Sequence, residues 1–265
     1  AVGKAESIPL PSLDLPAVGS VDWSKATKID GLRDRIGRSS ERTKVLLMHD
    51  DSNLYLRFEC EEQSLGHLKV VTRDEEDKAY GKGNRRTHFL DRRESWGLDW
   101  GDYVEVLLSP DLTKADPYHA GSFQFMVNSD GVLLQRYYDS FGMFTVMPHP
   151  QWDSGTRVKV DKNPDGKHWS VELAIPFGAL CEPGQVPGRW GLNLHRCVSA
   201  DNARATDAAW FWKNNQKGKL SQGNELNLFW LVPARVIRDP AYFGWMAIDP
   251  QKTKAVAKGG TRPGP

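Results

Sequence analysis

The sequence predicts an all-β protein, an antiparallel β-sandwich with little helix, and three observations carry that prediction. Short runs alternate apolar and polar side chains with the two-residue period of a strand. Turn signals separate the runs, among them Asp130-Gly131 and Asn163-Pro164-Asp165-Gly166. Helical periodicity of 3.6 residues is almost absent, which leaves about ten short strands to pack as two layers.

The totals agree. A chain of 265 residues with 39% hydrophobic and 26% charged side chains can bury a core as one large β domain. A net charge of +1 supplies no field for nucleic acid. No apolar run approaches the roughly 20 residues a membrane helix needs. No charged-then-apolar leader opens the sequence, so it is expected either to be cytosolic or to start at a mature terminus. Cys60, Cys181 and Cys197 are too few and too scattered for a disulfide framework or a zinc site, and burial as small apolar residues is expected. The ten Trp, ten Phe and seven Tyr suit half-buried pleated surfaces, and rings left exposed make platforms for sugars or protein partners.

In chain order, residues 1–20 are rich in Pro and small residues and read as an extended arm, either lying on the body or trailing from a neighbouring module. Residues 21–26 form a short turn or strand that tucks Trp23 against the body. A hairpin follows, 43–49 and 54–60 joined by Asp50-Asp51-Ser52-Asn53, with Leu54, Leu56, Phe58 and Cys60 on one side. Residues 64–71 extend the sheet. From 73 to 97 the sequence becomes a long charged loop without an apolar period, either a solvated excursion or a lid.

The next stretch organises the rest. After Trp100-Gly101, Val104, Val106 and Leu108 alternate with Tyr103, Glu105, Leu107 and Ser109, and Pro110 ends the strand. Asp102 is assigned to the apolar side, at the corner. Residues 122–128 alternate again, with Phe123, Phe125 and Val127 inward and Gln124, Met126 and Asn128 outward, and 132–138 return after Asp130-Gly131. A loop spans 141–150. Then come strands at 156–160 and 169–175, the latter with Trp169, Val171, Leu173 and Ile175 opposite Ser170 and Glu172, and a helical turn at 177–180. Strands at 189–197, 208–212 and 242–248 complete a single domain over 21–249. A basic, Gly/Pro-rich tail closes the chain over 250–265.

Seven motifs in this order carry a family likeness. They are Trp23-x-x-Ala26, His49-Asp50-Asp51-x-x-Leu54-Tyr55-Leu56, and Trp100-Gly101-Asp102-x-Val104-Glu105-Val106. Gln124-Phe125-x-Val127-Asn128 with Asp130-Gly131 and Trp169-x-x-Glu172-x-x-Ile175-Pro176 continue them. Trp190-Gly191-x-Asn193-x-x-Arg196 and Asp239-Pro240-x-x-Phe243-Gly244 complete the set. Together the chain resembles the family 9 carbohydrate-binding modules and their wider set of bacterial homologues. The resemblance implies a sandwich of immunoglobulin-like or jelly-roll type, secreted or periplasmic. It also implies a non-catalytic role in polysaccharide breakdown, beside an attached or associated glycoside hydrolase or a surface assembly.

The resemblance further implies a saccharide held by stacking on Trp100 or Trp96 and by polar contacts from Glu105 and Gln124, with Tyr103 on the same face and Trp212 able to rebuild an aromatic wall. Ile237 stands where the family has its second clamping Trp, and Met126 where it has an Arg. Losing one ring removes stacking of the order of a kcal/mol. Losing the Arg removes a bidentate donor. The family's calcium ions suggest Asp99 and Asp102 as structural ligands, alongside Asp50 and Asp51, although Asp is also a standard turn former.

Enzyme signatures are absent. Asp102 and Glu105 do not form a glycosidase pair, because alternation puts them on opposite faces. Arg196 and Glu172 read as an internal ion pair. Two other classes stand beside the lectin reading. One is a scaffold or interaction module with a degenerate sugar site. The other is a haem-b sandwich with ligands among Met48, Met126 and His195, types that in an aromatic core more often pack than ligate.

Overall fold

The structure, a computed structural model, describes residues 12–33, 39–70, 101–109, 122–141, 145–148, 152–181, 185–199, 226–229 and 244–253. It is the all-β sandwich the alternation predicts. Among the described residues thirteen strands join in one hydrogen-bonded sheet, eleven along a single path and two beside it, and the sheet folds over itself into two layers.

The first layer runs β8-β7-β6-β5-β11. These strands are Thr145–Pro148 (β8), Leu133–Phe141 (β7), Ser122–Asn128 (β6), Tyr103–Ser109 (β5) and Arg189–Val198 (β11). Along the far edge of β11, its C-terminal half pairs with Leu226–Phe229 (β12) and its N-terminal half with Gly244–Ala247 (β13). The second layer is Thr27–Arg33 (β2), Ser39–His49 (β3), Asn53–Glu61 (β4), His168–Pro176 (β10) and Arg157–Lys162 (β9), in the order β2-β3-β4-β10-β9. One residue pair, Phe229 with Arg33, links the layers as a sheet. The apolar filling between them is what holds them together.

That filling follows from the two-residue period. Val104, Val106 and Leu108 meet Phe123, Phe125 and Val127 from β6 and Leu192 and Leu194 from β11. Val45, Leu47, Leu56, Phe58, Val171 and Leu173 face them from the second layer, in the same continuous cluster. Trp152 lies against Phe123 and Phe125, with ring centroids 5.3 and 5.8 Å away. Two sheets each apolar on one face have little choice but to bury those faces together.

The structure sharpens some sequence expectations and corrects others. The arm expected over 1–20 carries a strand, Ser12–Asp14 (β1), paired in parallel with β13, and Leu15 is part of the core. Residues 64–71 do not extend the sheet as a strand; they give a 3₁₀ turn at Leu65–His67 and a single bridge from Val70 to Gly101. Trp23 starts a 3₁₀ turn, Trp23–Lys25, and is half-buried, with the Arg57 guanidinium 6.0 Å from its ring centroid. The loop over 141–150 contains β8, and β2 and β12 were not anticipated. The strand expected at 208–212 lies outside the described residues, as do the long loop 73–97 and most of the terminal tail.

The expected Arg196–Glu172 pair does not exist. Glu172 sits directly across the ladder from Arg57 and takes its Nη1 at 3.2 Å on the outer face. Arg196 instead points into the sandwich, 1% exposed, and pairs with buried Glu62. Its Nη1 donates to Thr43 Oγ1 at 2.8 Å and to the Arg42 carbonyl at 3.1 Å. The indole Nε1 of Trp169 donates to the same Glu62 oxygen at 3.1 Å. One buried polar knot therefore ties β11 to the other layer.

None of the three cysteines is in a disulfide. Burial pushes the Cys60 thiol up to about 12, and Cys197 is equally enclosed, whereas Cys181 is half-buried. Because the thiolate is the reacting form, a thiol reagent is expected to label Cys181 alone in the native protein and all three in denaturant. Rapid labelling of two thiols without denaturant would contradict this packing.

Candidate functional site

The site is built on the face of β5, β6 and β11 that points away from the core. Glu105 stands at its centre because register gives it two direct neighbours, His195 across the β11 ladder and Met126 across the β6 ladder. Gln124 lies one diagonal step away, opposite Leu107. Such cross-strand neighbours are close enough for side chains to meet, and here they do. Gln124 Nε2 donates to Glu105 Oε1 and also to Met126 Sδ at 3.4 Å. His195 Nδ1 bonds Glu105 Oε2 at 2.8 Å. The Tyr103 ring meets the imidazole edge-on, with centroids 5.6 Å apart and planes at 77°.

The faces predicted for Tyr103, Glu105, Gln124 and Met126 are therefore the observed ones. The expected solvent-lined surface is not. Glu105 is 3% exposed, Gln124 0% and Met126 6%, and only Tyr103 is partly open to solvent. Alternation reports which side of a sheet a residue takes, and it is silent on what lies over that side. The consequence is electrostatic: a carboxylate withdrawn from water depends on its hydrogen-bond donors far more than an exposed one does.

His195 is the member of the cluster that sequence reasoning named only as an imagined haem ligand and did not place beside Glu105. The signal was present, since Asn193, His195 and Cys197 alternate with Leu192, Leu194 and Arg196. What the sequence lacked was the register that sets His195 opposite Glu105.

The corner before β5 is also built from named contacts. Gly101 has φ of +71°, and a Cβ there would sit 2.0 Å from the Lys69 carbonyl oxygen, so only glycine lets the two backbones pass. Asp102 N donates to that same carbonyl at 2.8 Å, and Lys69 N donates back to Asp102 Oδ2 at 2.7 Å. Ser199 adds its backbone N–H to Oδ1 at 3.1 Å and its hydroxyl to Oδ2 at 2.8 Å. Asp102 is thus a clamp between the start of β5 and the residue just past β11, with both oxygens engaged by the protein.

Asp50 behaves similarly in the β3–β4 turn. Its Oδ1 takes the Ser52 and Asn53 amides at 2.7 and 2.6 Å, and its Oδ2 takes the Tyr55 hydroxyl at 2.6 Å. Among the described residues no three His, Cys, Asp or Glu side chains gather as a metal-binding group. Trp96, Asp99, Trp100, Trp212 and Ile237 lie outside the described residues. Met48, one of the imagined haem ligands, is on β3 in the other layer, apart from the strands carrying Met126 and His195.

A two-layer antiparallel sandwich with a polar cluster on one outward sheet face defines the class. The comparisons with known proteins agree on the fold. A family 9 carbohydrate-binding module from Caldicellulosiruptor kristjanssonii, solved with cellotriose, matches with a TM-score of 0.51 and 15% identity over 92% of this chain and 93% of that one. The same organism's family 9 module solved with glucose gives 0.50 and 15%, over 90% and 95%. A Bacteroides uniformis structure described as that of a candidate carbohydrate-binding protein gives 0.53 and 14%, over 91% of this chain and all of that one. No protein-family model matches the sequence, and no curated protein is similar enough to count as a relative. The chain thus has the fold of the family 9 carbohydrate-binding modules. Among the described residues no helix is long and apolar enough to cross a membrane.

Proposed function

We propose that the protein is a non-catalytic carbohydrate-binding module that takes a saccharide over the β5–β6–β11 face, with Trp100 or Trp96 as the stacking ring and Glu105 and Gln124 as partners for its hydroxyls. The observation that carries the reading is the Glu105–Gln124–His195 cluster. A buried carboxylate on the face away from the core adds little to stability compared with well-packed apolar residues, so its presence there is better accounted for by recognition. Support comes also from the fold, whose neighbours include modules solved with cellotriose and with glucose. Secretion, an associated glycoside hydrolase or surface assembly, and a calcium ion bracing the loops near Asp99 belong to the same reading.

The burial of Glu105, Gln124 and Met126 favours a second reading, a scaffold module whose inherited sugar face is closed. Calorimetric titration with cellotriose and glucose, with and without chelator, separates the two. On the first reading the wild type binds and Trp100→Ala abolishes binding with its thermal midpoint nearly unchanged. Glu105→Ala abolishes binding too, and it lowers stability by about 1–3 kcal/mol because His195 and Gln124 lose their acceptor. Absence of binding by the wild type across a broad glycan array would leave the scaffold.

A further inference from the structure

Resting on the saccharide reading, we infer that the same sheet face carries a subsite for the exocyclic hydroxymethyl group of a hexose, formed by Ser122, Ser109 and Gly191, so the module selects hexopyranosides over pentopyranosides. The rung beside Gln124, Leu107 and Asn193 holds three small residues in a row. Ser109 pairs with Gly191 across β5 and β11, and Ser122 stands one step beyond the Leu108–Phe123 pair, next to Ser109. Tyr138 on β7 pairs with Ser122 and Trp245 on β13 pairs with Gly191, which completes the rung at its two ends. The three small residues take outward positions, because Leu108, Phe123, Trp190 and Leu192 take the inward ones.

The Ser122 hydroxyl is the observation that points to a ligand. Ser122 is 9% exposed, and its Oγ is buried with no hydrogen-bond partner in the protein. A hydroxyl left in that state costs stability, and native structures hold few such groups. Gly191 adds to the cost, since glycine inside a strand weakens it and often marks a place where a ligand comes close.

Both features fit one sugar substituent. The three small residues leave a step below the taller Gln124, Leu107 and Asn193, and an exocyclic carbon would take that room. A serine hydroxyl both donates and accepts, so it pairs with a primary alcohol in either sense. A pentose has neither the carbon nor the hydroxyl to place there. Ser122 is the least buried of the outward residues of β6. Arg189, the next outward position on β11 beyond Gly191, is exposed and has partners of its own, so the rung lies at the margin of the face.

The test titrates the full chain with cellotriose and xylotriose, two β-1,4-linked trisaccharides that differ by the hydroxymethyl group. The wild type is expected to bind cellotriose about tenfold more tightly than xylotriose, or better, because the pentose lacks a carbon and leaves a polar group unmet. Ser122→Ala is expected to weaken cellotriose to near the level of xylotriose. Its thermal midpoint is expected at or above that of the wild type, because the lost hydroxyl had no partner. Xylotriose binding as tightly as cellotriose overturns the inference and leaves the saccharide reading intact, and so does a Ser122→Ala variant that keeps the gap. A lowered midpoint overturns it too, by showing that the hydroxyl serves the fold. Binding of neither trisaccharide overturns both.

Discussion

Arg196→Met is expected to lower the free energy of unfolding by about 3–5 kcal/mol, the cost of leaving one partner of a buried ion pair alone. The substitution keeps an unbranched side chain in the space between the layers, so the loss is electrostatic more than steric. Glu62, 4% exposed, would keep the Trp169 indole as a donor and lose the guanidinium that balances its charge. Thr43, fully buried, would lose the Nη1 that its hydroxyl accepts. The double variant Arg196→Met with Glu62→Gln removes both charges while a Gln oxygen still accepts from Trp169. It should be more stable than Arg196→Met alone. Urea unfolding of the wild type, Arg196→Met, Glu62→Gln and the double variant checks this, and a double variant that loses the sum of the single effects would show that the two side chains are not coupled.

Gly101→Ala is expected to destabilise by about 3–5 kcal/mol, combining a left-handed backbone that an alanine resists with an overpacked contact. The added carbon would meet the Lys69 carbonyl oxygen at 2.0 Å and its carbon at 2.6 Å, and backbone cannot swing aside as a side chain does. The damage would spread, because the same corner aims Asp102 at Lys69 and Ser199 and sets the start of the strand carrying Tyr103 and Glu105. Gly19→Ala is the control: no atom lies within 4 Å of its added carbon, and a change within about 0.5 kcal/mol is expected. Equal thermal midpoints for the two variants would mean that the corner is not closed as described.

Sequence reading located β3, β7, β9, β11 and β13 as well as the strands whose alternation is cleanest, β4, β5, β6 and β10, and for these four the inward residues are the ones found in the core. β2 escaped because charged residues occupy its outward positions and Gly31, at φ of 82°, breaks the period where the pairing with β3 shifts register. β1 and β12 have three and four residues, too short for periodicity to speak, and β1 pairs with the far end of the chain.

Pairings were harder than elements. Arg196 and Glu172 suggested each other as opposite charges on strands. The register gave Glu172 to Arg57, and the inward face of β11 gave Arg196 to Glu62, a residue just past the end of β4. The candidate site divides the same way. Its faces were readable from the two-residue period. Its burial, and the place of His195 beside Glu105, follow from how strands neighbour one another, which a local pattern does not encode.

The central claim is that a saccharide engages the outward face of β5, β6 and β11. Amide and side-chain NMR spectra recorded while cellotriose is titrated into the labelled protein test it directly. The account predicts that the signals of Tyr103, Glu105, Gln124 and His195 move together and saturate at a common ligand concentration. Spectra in which these four stay fixed, or in which the shifts gather on the outer face of β3, β4 and β10 around Arg57 and Glu172, would contradict it.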